Sequence, residues 1–133
     1  VVEEARTALA AGRVHAMHDP TEGGLSSGLH ELAIASGCGI LVDRSLIPVL
    51  PESKALSEFF GIDPLGAISS GALLISAHPA DSQKIINAIK SKGIVAVKIG
   101  SVTARKTGVR IVEGKKTRIL KHFERDELTK ILV

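Results

Sequence analysis

The 133-residue sequence predicts an α+β fold in which helices are layered on a mixed sheet. Three observations lead there. Apolar residues recur with helical spacing in some segments and in short continuous runs in others, and the two kinds alternate along the chain. Glycines punctuate nearly every change from one kind to the other. One stretch of about 30 residues reads as strand, helix, strand. The length suits a single domain, read over residues 1–133, and 44% hydrophobic with 23% charged residues is a globular composition.

In chain order, Val2–Ala11 reads as an amphipathic helix ended by Gly12, and residues 14–17 as a short strand running into HDPTEGGL. Asp19 there fits a helix N-cap, Pro20 the first helical position, and Glu22 the third, where its carboxylate reaches back to the cap amide. Gly23 and Gly24 then stand out, because each glycine inside a helix costs roughly 0.5 to 1 kcal/mol relative to alanine. From Gly24 to Ser36, Leu25, Leu29, Leu32 and Ala33 fall at helical spacing, and Gly37 is a stop signal. Residues 40–42 form a second strand. Pro48 and Pro51 break the next segment before a helix over 52–60 closed by Gly61.

GIDPLGAISSG is the longest turn-rich stretch and a candidate site loop. Residues 72–77 read as a buried strand. His78 and Pro79 start a helix carrying Ile85, Ile86 and Ile89, and Gly93 ends it before a strand over 94–102. This is the predicted βαβ unit, with a right-handed connection. Residues 106–112 and 116–120 read as a hairpin around Glu113 and Gly114, followed by a closing helix over 124–132.

The composition restricts function. The formal charge is only +3, with Lys and Arg spread along the chain apart from a loose cluster over 98–121. Three Phe and no Tyr or Trp leave little on which bases could stack, which argues against nucleic acid and for a phosphate-bearing small molecule. Cys38 is the sole cysteine, excluding an intrachain disulfide and a multi-thiolate zinc site; it reads as a small core residue rather than a nucleophile, and a reducing cytoplasm is the expected location. No apolar run approaches the roughly 18 residues of a bilayer span, so no membrane role is expected. Met17 is the only methionine and the chain opens inside a predicted helix, as a piece of a longer protein would.

Glycines at a helix start let an anion approach unpaired amides, which makes Gly23 and Gly24 a candidate phosphate turn. Close packing against a neighbouring element calls for glycine equally well, and the Glu22 carboxylate competes for the same amides. Asp19 is read first as a cap and second as a group orienting a phosphate. His15, His18, Asp19 and His30 suggest a metal cluster, but on a strand His15 and His18 point to opposite faces, so no metal site is expected. Ser69, Ser70 and Gly71 form a second polar turn before a buried strand.

The motifs GRVHAMHDPTEGGL, ASGCGI, IPVLPESKAL, FGIDPL, SSGALLI and IGSVT, in this order, resemble the C-terminal domain of the aminoimidazole ribonucleotide (AIR) synthetase-related superfamily, and its HypE-like hydrogenase maturation branch above all. The resemblance is clear over residues 12–102 and looser beyond. It implies α/β/α layers with partly ferredoxin-like topology, paired in the family with an N-terminal domain that binds Mg-ATP and forms a homodimer. Nucleotide would lie between the domains, with Asp19, Thr21, Gly23 and Gly24 lining the cleft and Ser70 and Gly71 approaching from the second loop. The family likeness further implies protein partners in maturation.

Three departures matter. HypE-like chains carry Arg where this one has Glu22, and Asn-Glu-Gly where it has Ser69-Ser70-Gly71. They end in a cysteine that accepts a carbamoyl group, where this sequence reads LTKILV. The resemblance therefore implies either an ATP-dependent enzyme that activates a small substrate by phosphorylation, with no catalytic residue assignable here, or a non-catalytic nucleotide-sensing or assembly module.

Overall fold

The computed structural model describes residues 1–132; Val133, the last residue of the LTKILV run, lies outside them. Helix α1 (Val2–Ala11) leads into strand β1 (Val14–His18), helix α2 (Gly24–Ser36) and strand β2 (Gly39–Asp43). Helix α3 (Pro51–Phe60), strand β3 (Leu74–Ala77), helix α4 (Ser82–Lys90), strand β4 (Gly100–Thr103) and the hairpin β5 (Val109–Glu113) and β6 (Lys116–Ile119) follow. The fold is mixed α+β, as the alternating periodicities predict.

The strands divide between two sheets. β1 and β3 form an antiparallel pair in which His18 lies opposite Leu74. The second sheet has the order β4-β2-β5-β6, with β2 and β5 parallel and the outer pairs antiparallel. Ala8, Ala11, Ile85 and Ile89 of α1 and α4 pack on one side of the β1–β3 pair, against Val14, Met17, Ile75 and Ala77. On the other side Leu29 and Ala33 of α2 join Leu74, Ile40, Val42, Val109 and Ile111 in a second apolar cluster, so α2 ties the two sheets together. This α/β/α stack holds the ends of β1 and β3 rigidly side by side.

Between the two helices of the outer layer, the Arg13 amide and Nε both donate to Asp81 Oδ2, at 3.0 and 2.6 Å. The Arg13 hydrogen bond holds the Asp81 carboxyl at about 2, below its ordinary 3.8. A group depressed in this way stabilises the fold above its unfolded value and loses that contribution as pH falls through the folded one. We expect Asp81→Asn to narrow the loss of thermal stability between pH 5 and pH 2, measured by melting curves; an unchanged acid dependence would show that the pair does not contribute.

Four expectations about the secondary structure are corrected. The strand over 94–102 is regular only from Gly100 onward: the Asp43 amide at the end of β2 still donates to the Ile99 carbonyl (2.8 Å), and the residues before Ile99 run past β2. The βαβ unit is absent: β3 pairs with β1 and β4 pairs with β2, so strand and return strand lie in different sheets. The closing helix over 124–132 shrinks to one short turn, Glu127–Lys130, because its acidic side chains serve distant partners. The fourth concerns the helix start.

Candidate functional site

Asp19 does not cap α2. The helix begins at Gly24, with Gly23 as N-cap, and Asp19, Pro20, Thr21 and Glu22 precede it as a turn. The capping-box pattern is overridden because Gly23 and Gly24 take φ of +71° and +62°, the left-handed region that glycine alone enters without strain. A Cβ on Gly24 would meet the Ala67 carbonyl oxygen and lie 2.6 Å from the Leu65 carbonyl oxygen. The bare backbone is thus filled by the chain's own 65–67 loop.

The amides of this turn are also engaged from within. Gly23 N–H donates to Asp126 Oδ2 (2.9 Å), Gly24 N–H to the Thr21 carbonyl (3.1 Å) and Ser26 N–H to the Leu65 carbonyl (2.9 Å). The Ser26 hydroxyl donates to the Lys121 carbonyl, and the Ser27 hydroxyl to that of Phe123. The final segment thereby lies across the start of α2. Glu127, 4% exposed, anchors it by accepting from the Asp63 amide (3.0 Å) and pairing with Lys130 (2.6 Å). Burial pushes the Glu127 carboxyl up, but the Lys130 ammonium and the Asp63 amide outweigh it and hold it below its ordinary value. Glu127→Ala leaves the Asp63 amide without its acceptor and is expected to cost about 1 to 2 kcal/mol. Hydrogen exchange at Gly23 should speed up in that variant; unchanged protection would contradict the anchor.

The two polar loops lie against each other. Ser69 N–H donates to the Thr21 carbonyl at 3.3 Å and Ser69 Oγ to the Pro20 carbonyl at 3.3 Å. Beside this junction, at the end of the β1–β3 ladder, Asp19, Thr21, Glu22, Ser70 and Gly71 are exposed, while Gly23 and Gly24 are buried. Among the described residues the amides of Thr21, Glu22, Ser70 and Gly71 have no acceptor, and nothing lies within 4 Å of a Cβ placed on Gly71. This end offers free amides, two hydroxyls and the Asp19 and Glu22 carboxylates. The two carboxylates make this end repel a bare anion.

The histidines separate. His15 faces His78, with ring centroids 6.2 Å apart, and His30 Nε2 donates to the Leu120 carbonyl at 3.0 Å beside the ring of His122. Burial lowers the His30 pKa and the nearby His122 adds to the effect. No group of three potential metal-ligating side chains occurs among the described residues. Cys38 is half-buried rather than part of the core. The contact that sequence reasoning missed is His18 with Glu31, Nε2 to Oε2 at 2.7 Å. It joins a strand end to a helix 13 positions away, a separation with no local periodicity to reveal it.

An α/β/α stack that gathers two polar turns at one end of a short ladder is the architecture of a known family of domains. The chain belongs to the family described as AIR synthase related protein, C-terminal domain, whose model matches residues 1–113. Carbamoyl dehydratase HypE of Rhizobium leguminosarum bv. viciae is 38% identical over 100 residues, 72% of this chain and 29% of the relative. The crystal structure of Escherichia coli HypE superposes with a TM-score of 0.87 at 32% identity, covering 97% of this chain and 41% of that one. A structure of HypE in complex with ATP gives 0.79 at 26% identity (89% and 38%), and one of a HypE–HypF complex 0.84 at 28% (91% and 41%). The chain spans less than a third of the length of the curated relatives it matches. No helix among the described residues is long and apolar enough to cross a membrane.

Proposed function

We propose that this chain is the C-terminal half of a HypE-like, ATP-dependent enzyme and supplies one wall of an interdomain Mg-ATP cleft. The observation that carries the reading is the junction of the two loops at the end of the β1–β3 ladder, which presents Asp19, Thr21, Ser70 and Gly71 on one surface. The structure of HypE with ATP, a relative of the same fold, supports nucleotide as the ligand. The free amides of Thr21, Ser70 and Gly71 would steady phosphate oxygens. Gly23 and Gly24 act behind them, shaping the turn from within. The magnesium ion, and most of its ligands, would come from an N-terminal domain that completes the protein and dimerises it. The reaction class is phosphorylation of an amide or carboxylate oxygen on a small substrate, in a cytoplasmic protein that works with a maturation partner, as the HypE–HypF complex suggests.

A second reading, a nucleotide-sensing or assembly module without chemistry, is favoured by one observation. Asp126 of the final segment already occupies the Gly23 amide that a catalytic phosphate turn would keep free. Titration of the chain with Mg-ATP, followed by amide NMR, tests both. Shifts at Thr21, Ser70 and Gly71 with little change at the buried Gly23 and Gly24 are expected. No shift at these residues at millimolar nucleotide would remove the half-site from the account.

A further inference from the structure

We propose that His18 is a proton acceptor of the site, with Glu31 as its positioning residue; the inference rests on the cleft reading above and deepens it. His18 is the last residue of β1 and immediately precedes the Asp19–Thr21 turn. Its Nε2 lies 2.7 Å from Glu31 Oε2, and a Cβ on Gly28 would stand 3.2 Å from its Cδ2. The Nε2–Cδ2 edge of the ring therefore faces α2, and Nδ1, across the ring, faces away from the helix. Nδ1 has no hydrogen-bond partner among the described residues, and the side chain is 32% exposed.

This is the geometry in which a carboxylate fixes one tautomer of an imidazole. Glu31 accepts the Nε2 proton, the Nδ1 lone pair is left for a substrate, and the carboxylate faces the imidazolium once a proton has been taken up. The absence of a side chain at Gly28 lets this edge of the ring come close to α2. For an amide substrate the step balances simply. The N–H bond breaks, the proton forms Nδ1–H, and the electron pair left on nitrogen raises the nucleophilicity of the amide oxygen that is to be phosphorylated. The positive charge on His18 is matched by Glu31, and the proton leaves to solvent afterwards.

Diethyl pyrocarbonate acylates the free lone pair of a neutral imidazole, so its reaction with the intact chain, mapped by mass spectrometry, reads the state of His18 directly. We expect His18 to be modified several-fold faster than His15 or His78, and Glu31→Gln to slow it several-fold with the other two unchanged. Glu31→Asp should restore part of the rate. A tether without a chemical role gives the opposite sign: loss of Glu31 frees the ring and modification speeds up. That outcome, or a His18 rate equal to that of His15 in the wild-type chain, overturns the proposal. Glu31 is an exposed helix residue, so the variants are expected to melt with the wild type. The assay contains no nucleotide, and a failed Mg-ATP titration would leave its result intact.

Discussion

Gly24→Ala is expected to destabilise the fold by about 3 kcal/mol or more and to lower the melting temperature by roughly 10 °C. Two costs add. Alanine at φ +62° pays roughly 1 to 2 kcal/mol of left-handed strain. Its methyl group would press on the carbonyl oxygens of Ala67 and Leu65, which are backbone atoms and cannot swing aside. The same loop accepts the Ser26 amide, so any shift that relieves the clash lengthens a hydrogen bond at the first turn of α2. Thermal melts of the purified variant check the prediction; a drop of only a degree or two would mean that the turn adapts. Gly37→Ala provides the internal comparison, since Gly37 has φ +64° and open space around it and should show the strain cost alone.

The second large effect is expected at Ile111, whose truncation to alanine should cost about 3 to 4 kcal/mol. Ile111 is 1% exposed and lies on β5, paired with Val42 of β2 on one side and Arg118 of β6 on the other. It sits in the cluster where Leu29 and Ala33 of α2 pack down on the four-stranded sheet. Strands held on both edges cannot close the cavity by moving inward, so the loss is near the top of the range for such changes. Urea unfolding should give a lower midpoint with an unchanged slope. A cost below about 1 kcal/mol would show that α2 settles into the gap.

Much of this architecture is legible in the sequence, because it is written locally. Gly37 and Gly61 stop α2 and α3 where the spacing predicts, each in left-handed conformation, and the hairpin forms around Glu113 and Gly114. The meeting of the 19–22 and 69–71 turns follows from the pairing of β3 with β1, which no local pattern announces and only the family resemblance implies. What the sequence hides depends on distant partners. The Asp-Pro-Thr-Glu pattern is sound helix grammar, but it loses to two consecutive glycines whose positions are set by residues 65–67. Asp126 and Glu127 look like first-turn residues of a closing helix and instead reach Gly23 and Asp63, 103 and 64 positions away. The apolar run over residues 94–99 reads as a strand, but a ladder needs a neighbour, and no sequence period names one.

The buried state of Gly23 and Gly24 refines what the family likeness implies for this chain. Their conformational freedom is used to fold the turn, and under the proposed function the ligand would meet the exposed rim of Asp19, Thr21, Ser70 and Gly71 instead. On that proposal, the acidic Glu22 beside the rim would favour a phosphate that arrives already neutralised by its metal.

The most direct test of that assignment replaces magnesium by manganese and maps paramagnetic broadening of the amide spectrum in the presence of ATP. Manganese travels with the phosphates, so the account predicts that Asp19, Thr21, Ser70 and Gly71 broaden first, while the basic cluster over 98–121 keeps its intensity. Broadening that begins in that basic stretch, or spreads evenly over the chain, would contradict the placement of the nucleotide at the end of the β1–β3 ladder.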